Sequence, residues 1–268
     1  MNLRLLGTGA ADGIPGMFAS NRVCEVARTL GGKDVRSRSS AIIDDHILLD
    51  FGPDTWHQFA REGLRARDLS AVMFTHGHDD HFAVNELQYC MFPFVDDEIA
   101  PFAIYANPQV SARIWEKYPD WPLEVHAVHC EQTFVLGDYL ITPIEANHKE
   151  DEESLNYIVE RDGRRLLYAT DTGIYPEHTF KFLKTQRIDT LVIECTEGFK
   201  KTAYPGHLDI AQCVQMVSWM RQFGVLRPGS RVITTHHSHE GEATHGELEV
   251  ELAKHGIEPG FDGMQIEV

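Results

Sequence analysis

Long apolar runs are missing from this chain of 268 residues. None approaches the roughly 20 residues that a membrane helix requires, so no membrane partner is expected. Cysteine is scarce as well: five residues (Cys24, Cys90, Cys130, Cys195, Cys213), an odd number with no C-x-x-C pair. That pattern fits reduced thiols better than a disulfide framework. Residues 1–9 lack a basic segment followed by an apolar one, which argues against a signal peptide and for a cytoplasmic protein. Positive charge is in deficit, with 24 Lys and Arg against 41 Asp and Glu and a formal net charge of −17. Such a surface repels phosphate backbones and disfavours nucleic acid as a partner. A confined pocket can still accept a small anion. No low-complexity tract, repeat or Pro/Gly/Ser linker interrupts the chain, so residues 1–268 read as one domain, open to forming a homodimer. With 43% hydrophobic residues, the chain has ample material for a core.

Short apolar strands alternate with polar loops and helices. Strands are expected at 3–6, 41–43, 47–49, 71–74, 102–105, 139–144, 157–160, 165–169, 190–193, 231–234 and 264–268. The pair 41–43 and 47–49 flanks Asp44-Asp45 as a hairpin. Helical spacing marks 54–62, 83–91, 108–118, 177–184, 209–223 and 246–255. Asp209 is placed to cap its helix, whose apolar face is Ile210, Cys213, Val214 and Val217, with Gly224 at its end. Met216, Trp219 and Met220 read as packing residues. This alternation predicts an α/β (α+β) fold of sheets covered by helices. The charge run Lys149–Glu153 reads as a solvated loop, with a lid beside the site as the lesser alternative because His148 immediately precedes it.

What the chain has in abundance is histidine, 15 residues in all. Six consecutive residues after strand 71–74 and Thr75, His76-Gly77-His78-Asp79-Asp80-His81, gather three imidazoles and two carboxylates. Neutral histidine and carboxylate are the preferred ligands of zinc and similar divalent ions. The spacing lets His76 and His78 converge on one ion while Asp80 and His81 face a second. Further ligands follow later strands: His148, Asp171 in Thr170-Asp171-Thr172, and His236 in Thr235-His236-His237-Ser238-His239. Together they can fill two coordination spheres, with Asp171 free to bridge.

At this point the chain resembles the metallo-β-lactamase superfamily, whose signature H-x-H-x-D-H stands at His76–His81. The resemblance runs from Gly7-Thr8-Gly9 and Leu49-Asp50-Phe51-Gly52 through His148 and Asp171 to His236. It implies a four-layer αββα sandwich with the metals at one edge. It also implies that His76, His78 and His148 hold one metal, that Asp80, His81 and His236 hold the other, and that Asp171 bridges them. An aspartate bridge resembles the phosphodiesterase and ribonuclease Z branch. A narrower likeness is to the phosphoribosyl cyclic-phosphate phosphodiesterases of the carbon–phosphorus lyase pathway. It is carried by Leu5–Gly9, Ala146-Asn147-His148, Asp171-Thr172, Gly206-His207-Leu208-Asp209, residues 235–239 and the ending Gly260-Phe261-Asp262-Gly263-Met264. Those relatives hold a structural zinc through an N-terminal cysteine cluster. Here only Cys24 stands in that region, so His239 is expected without one.

Two divalent ions about 3.5–4 Å apart, Zn²⁺ or Mn²⁺, can share a water and lower its pKa for attack. The expected function is a dinuclear hydrolase using that metal-bridging hydroxide on a small phosphodiester, a cyclic phosphate or nucleotide. The catalytic residues are then Asp80, which orients the nucleophile, and His207, which binds a phosphate oxygen or protonates the leaving alkoxide. Asp50 reads equally as an aspartate that orients a ligating histidine and as a turn residue. Glu194 reads as a plain strand-end carboxylate. His237 and His239 read as packing or supporting groups; His46, His57, His126, His129, His178, His245 and His255 read as ordinary. Gly7-Thr8-Gly9 reads as a tight turn beneath the site. The loops 12–21 and 91–99 are expected to wall the pocket; Phe18, Phe92 and Phe94 read as packing residues, with stacking on a base or covering the site as the alternative. Alternatives are an RNA-processing nuclease resembling ribonuclease Z, a lactone, thioester or β-lactam hydrolase, and a metal-binding sensor without catalysis.

Overall fold

The computed structural model describes residues 1–95, 102–201 and 204–268. Two seven-stranded mixed sheets make up its centre. In the first sheet, β1 (Asn2–Gly7), β2 (Ser40–Ile43) and β3 (Ile47–Leu49) run antiparallel. Then β4 (Ala71–Met73), β5 (Ala103–Ala106) and β6 (Val125–Ala127) add in parallel. The second sheet begins with the antiparallel strands β7 (Phe134–Leu136), β8 (Tyr139–Glu145), β9 (Leu155–Arg161) and β10 (Arg164–Ala169). It continues in parallel through β11 (Ile188–Glu194), β12 (Leu226–Thr235) and β13 (Glu258–Pro259). The last strand, β14 (Gln265–Glu267), returns to pair with β1.

Three apolar layers explain how the sheets stack. Leu3, Ile43, Leu49 and Met73 of the first sheet pack against Tyr157, Leu166, Val192 and Ile233 of the second, which makes the middle core. The first sheet's outer face, with Leu48, Val72 and Ile104, meets α2 (Thr55–Glu62) and α3 (Pro108–Lys117) through Phe59, Val110 and Ile114. The second sheet's outer face, with Leu167, Leu191 and Val232, meets α4 (Glu177–Leu183), α5 (Ile210–Gln222) and α6 (His245–Ala253). The result is the expected αββα sandwich. Central strands buried on both faces read as continuous apolar runs, which is why 71–74 and 190–193 stand out in the sequence.

Local signals set several boundaries. Asp44 and Asp45 both take positive φ, 47° and 59°, in the three-residue turn 44–46 that joins β2 to β3 as a hairpin. Asp209 caps α5 by accepting from the Gln212 N–H, and Gln212 returns the bond to the Asp209 N–H. Met216 and Met220 are buried in the core under α5. The stretch read as a helix at 83–91 is a 3-10 helix, Val84–Cys90. The sequence pattern missed α1 (Arg22–Leu30), whose buried residues are only Val23, Cys24 and Ala27. Such a narrow apolar face gives periodicity little to detect. The edge strands β6 and β7 and the two-residue β13 were missed for the same lack of buried positions. No described helix is long and apolar enough to cross a membrane.

Candidate metal centre

The site is built where strands end, on one edge shared by both sheets. Asp50 follows β3, the histidine loop follows β4, His148 lies three residues past β8, Asp171 two past β10, and His236 follows β12. Ligand sites at the carboxyl ends of parallel strands are the general rule for such sheets. Asp50, Asp171 and His236 each turn the chain with positive φ (63°, 51° and 56°). Backbone of this kind costs about 1–3 kcal/mol per residue and persists where the surroundings enforce it. The sheets are locked together beside the site: the Leu155 N–H donates to the Thr75 carbonyl (2.8 Å), and the Tyr157 hydroxyl to the Phe74 carbonyl (2.7 Å).

Two groups of ligand atoms converge. His76 Nε2 and His148 Nε2 lie 2.9 and 3.0 Å from His78 Nδ1. On the other side, His81 Nε2 stands 3.1 Å from Asp80 Oδ2, and His236 Nε2 3.8 Å from the same oxygen. Asp171 lies between the groups. Its Oδ1 is 3.6 Å from His148 Nε2 and 3.2 Å from His236 Nε2, and its Oδ2 is 3.1 Å from His81 Nε2. The structure thus brings together all seven residues singled out as candidate ligands, with Asp171 between the two groups.

The outer ring nitrogens show which atoms are free to bind. His148 Nδ1 donates to the Gly206 carbonyl (3.0 Å), so its Nε2 carries a lone pair. His81 Nδ1 donates to Asp50 Oδ2 (2.7 Å), and His236 Nδ1 pairs with Thr196 Oγ1 (2.8 Å). His81 Nε2 and His236 Nε2 are buried and make no hydrogen bond, although carboxylate oxygens stand close by. His78 Nδ1 faces two ring nitrogens and can carry one hydrogen at most, so it cannot make a full hydrogen bond to each. Buried atoms left this way are costly unless a cation joins them. The set of nitrogen and carboxylate donors fits zinc, and manganese or iron as well. Divalent metal binding is what this chemistry supports.

The electrostatics agree. Burial holds His76, His78 and His148 below the ordinary histidine range, so they present neutral rings. His81 is also pushed down by burial, but Asp171, Asp80 and Asp50 around it prevail and hold it well above that range. The field that draws a proton to His81 draws a metal ion equally. Burial works against ionisation of Asp171, yet His236, His81 and His76 keep it well below the usual carboxylate range.

Two further residues change the sequence reading. Asp50, fully buried, accepts from the Thr75 N–H (2.7 Å), the Thr75 hydroxyl and His81, so it orients the ring rather than its own turn. Glu194 is not a plain strand-end carboxylate. It is fully buried and accepts from the Thr172 N–H (2.7 Å), the Thr196 hydroxyl (2.6 Å), the Leu208 N–H (3.0 Å) and His207 Nδ1 (2.8 Å). His207, expected near the metals, lies with its ring centre 4.9 Å from that of His148 and stacks on His236 at 5.3 Å. Burial lowers its pKa, but Glu194 outweighs that and raises it to about 9.

The other motifs find structural employment. Thr8 receives the His237 N–H at its carbonyl (2.8 Å), which puts the Gly7-Thr8-Gly9 turn beside the candidate ligand His236. Asp262, from the ending Gly260–Met264, accepts from the Thr8 N–H (2.9 Å) and hydroxyl (2.8 Å) and so clamps that turn. Arg36 is buried and joins Thr8, the Gly260 carbonyl and His245 Nδ1, which makes His245 a supporting residue rather than an ordinary one. His239 engages Asp12 (2.5 Å) and Asn21 (2.7 Å), and Cys24 Sγ accepts the Gly16 N–H. Of the expected walls, loop 12–21 carries a fully exposed Phe18, whereas residues 96–99 of the second loop lie outside the described residues. An open cleft of 990 Å³ beside His78 and His148 is lined by Gln109, Asn147, Lys149 and Tyr204 and also by five acidic residues, Glu145, Glu150, Asp151, Glu152 and Glu153.

These features define a metal-dependent hydrolase of the metallo-β-lactamase fold. Residues 45–237 match the model of the beta-lactamase superfamily domain, and the chain belongs to that family. Coenzyme PQQ synthesis protein B of Cupriavidus necator is 26% identical over 99% of both chains. A ribonuclease Z of Lactiplantibacillus plantarum is 26% identical over 65% of this chain and half of its own. Among solved structures, a diphosphatase of the PhnP family superposes with a TM-score of 0.79 and 25% identity, covering 100% of this chain and 97% of that one. Zinc-bound PqqB of Methylobacterium extorquens (TM-score 0.76, 19% identity, all of both chains) shares the fold.

Proposed function

We propose that the protein is a dinuclear phosphodiesterase acting on a small, cyclic phosphate or nucleotide diester. The observation that carries this reading is the Glu194–His207 pair beside both groups of ligands. Asp80, His81 and His236 would hold one divalent ion, Zn²⁺ or Mn²⁺, and His76, His78 and His148 the other, with Asp171 between. Bound there, the ions would supply positive charge to a phosphoryl oxygen and lower the pKa of a water. The chain's own residues do the rest. His207 commits Nδ1–H to Glu194 (2.8 Å), which leaves Nε2 as the nitrogen that would serve a substrate. The Glu194 carboxylate favours the protonated ring, which places His207 to give its proton to the alkoxide that leaves phosphorus as the water oxygen adds. Glu194 stabilises the charged ring before that transfer and sets its orientation. Asp80, beside its ligand role, orients the attacking oxygen.

The cleft has the size of a site for a nucleotide or smaller ligand. Likeness to a diphosphatase of the PhnP family favours phosphate chemistry. A net charge of −17 weighs against a transfer-RNA substrate. The test is turnover of bis(p-nitrophenyl) phosphate and of cyclic nucleotides by protein reconstituted with zinc or manganese, beside Asp171→Ala and His207→Ala. Hydrolysis of both by the wild type, lost in Asp171→Ala, is expected; in His207→Ala the cyclic nucleotides should lose roughly 10²-fold or more and the nitrophenyl diester less. Metal-loaded protein that cleaves none of these diesters refutes the assignment.

A further inference from the structure

The charge run Lys149–Glu153 looks in sequence like a solvated loop, yet one of its carboxylates is not solvated. The Glu152 side chain is 4% exposed. Its Oε1 accepts both the Gly77 N–H (2.6 Å) and the Asn107 side-chain amide (2.7 Å), while Oε2 takes the Lys149 ammonium (3.0 Å). Gly77 is the residue between the ligands His76 and His78. Its carbonyl is held in turn by the Arg113 guanidinium from α3. Both polar groups flanking Gly77 are therefore fixed from outside the loop, one of them by Glu152. The fit is close: a Cβ at Gly77 would lie 2.9 Å from Glu152 Oε2 and 2.7 Å from Arg113.

The same carboxylate belongs to the segment that carries His148. Residues 146 and 154 close that segment through the bond from the Ala146 N–H to the Ser154 carbonyl (2.9 Å), and Ser154 N–H donates to the Glu152 carbonyl. Glu152 thus ties the His148 loop directly to the His76–His78 loop, where three ring nitrogens meet at 2.9 and 3.0 Å. Asp80, His81 and His236 make no bond to it among the described residues.

We propose that Glu152 is a positioning residue for one of the two ligand sets: it holds Gly77 and the 146–154 loop so that His76, His78 and His148 converge on a single divalent ion. The inference rests on the reading of these residues as ligands, but not on the identity of the substrate. A carboxylate that orients ligands without binding the metal typically changes affinity by roughly 10–100-fold when removed.

The experiment titrates metal-free wild type, Glu152→Ala and Glu152→Gln with zinc against a chromogenic chelator, and measures thermal unfolding with and without zinc. Glutamine keeps an oxygen for Gly77 and Asn107. Glu152→Ala is expected to lose roughly 10–100-fold in affinity for one ion and to bind the other as the wild type does. Glu152→Gln should recover most of that loss, and all three metal-free proteins should melt within a few degrees of one another. Unchanged affinity in Glu152→Ala, equal loss at both sites, or no rescue by glutamine overturns the proposal. So does a Glu152→Ala protein that melts far below the wild type without metal. If diester turnover is absent in the wild type while the affinity pattern holds, the assigned reaction fails and the positioning role stands.

Discussion

Replacing Asp50 by asparagine tests how the site selects the tautomer of a ligand. Asp50 is buried, with Oδ1 on the Thr75 N–H (2.7 Å) and Oδ2 on His81 Nδ1 (2.7 Å). Asparagine tolerates the positive φ of 63° at this position, so the backbone is not at issue. The Thr75 N–H requires an acceptor, which assigns the amide oxygen to Oδ1 and leaves the amide NH₂ facing His81. To avoid two opposed donors, the ring must offer a lone pair at Nδ1 and move its hydrogen to Nε2. That hydrogen then occupies the nitrogen that faces Asp80 and Asp171, where a metal ion would bind. A charge-assisted hydrogen bond worth about 1.5–3 kcal/mol disappears. Affinity for one ion should fall roughly 10–100-fold, or about 1.4–2.8 kcal/mol. Chelator competition on metal-free protein measures it directly. Asp50→Asn protein that binds both ions as tightly as wild type would show that His81 needs no such partner, and the tautomer argument would be wrong.

Three other outcomes follow from the geometry. Glu194→Gln removes the carboxylate that keeps His207 charged, so hydrolysis of an alkyl diester should fall by about tenfold or more. A nitrophenyl ester, whose leaving group hardly requires a proton, should suffer less; equal losses on both substrates would exclude His207 as the acid. Gly52→Ala would set a Cβ 2.1 Å from the Asp80 carbonyl oxygen. The strain should cost about 1–3 kcal/mol, and denaturant unfolding that shows no loss would contradict the packing described. Chelation by EDTA should lower the melting temperature, and added zinc should raise it with concentration, the stabilisation reaching about 2.7 kcal/mol at 100 times Kd. A melting temperature indifferent to both would mean that the converging nitrogens and carboxylates hold no metal.

Much of the site could be read along the chain because its residues are neighbours of strong local signals. The histidine loop follows a fully apolar strand, and Asp171 and His236 stand in the same relation to β10 and β12. Asp209 was legible as a cap because capping acts over three residues. Glu194 and Glu152 were misread because nothing local distinguishes a buried carboxylate from a solvated one. Their partners lie far off: Gly77 is 75 positions from Glu152, and His207 is 13 from Glu194. The turn Gly7-Thr8-Gly9 was legible as a turn, but its clamp was not, since Asp262 is 254 positions from Thr8.

The sequence by itself determined which side chains could bind metal, the ends of which strands they occupy, and the alternation that makes a layered α/β fold. Those properties depend on periodicity and on side-chain chemistry, which act within a few residues. Tertiary structure alone decided that ligands from two sheets meet on one edge, which ring nitrogen each histidine turns inward, and which carboxylates are buried to hold them. Those choices depend on hydrogen bonds and burial between distant segments, and they exist only once the middle core has packed the two sheets face to face.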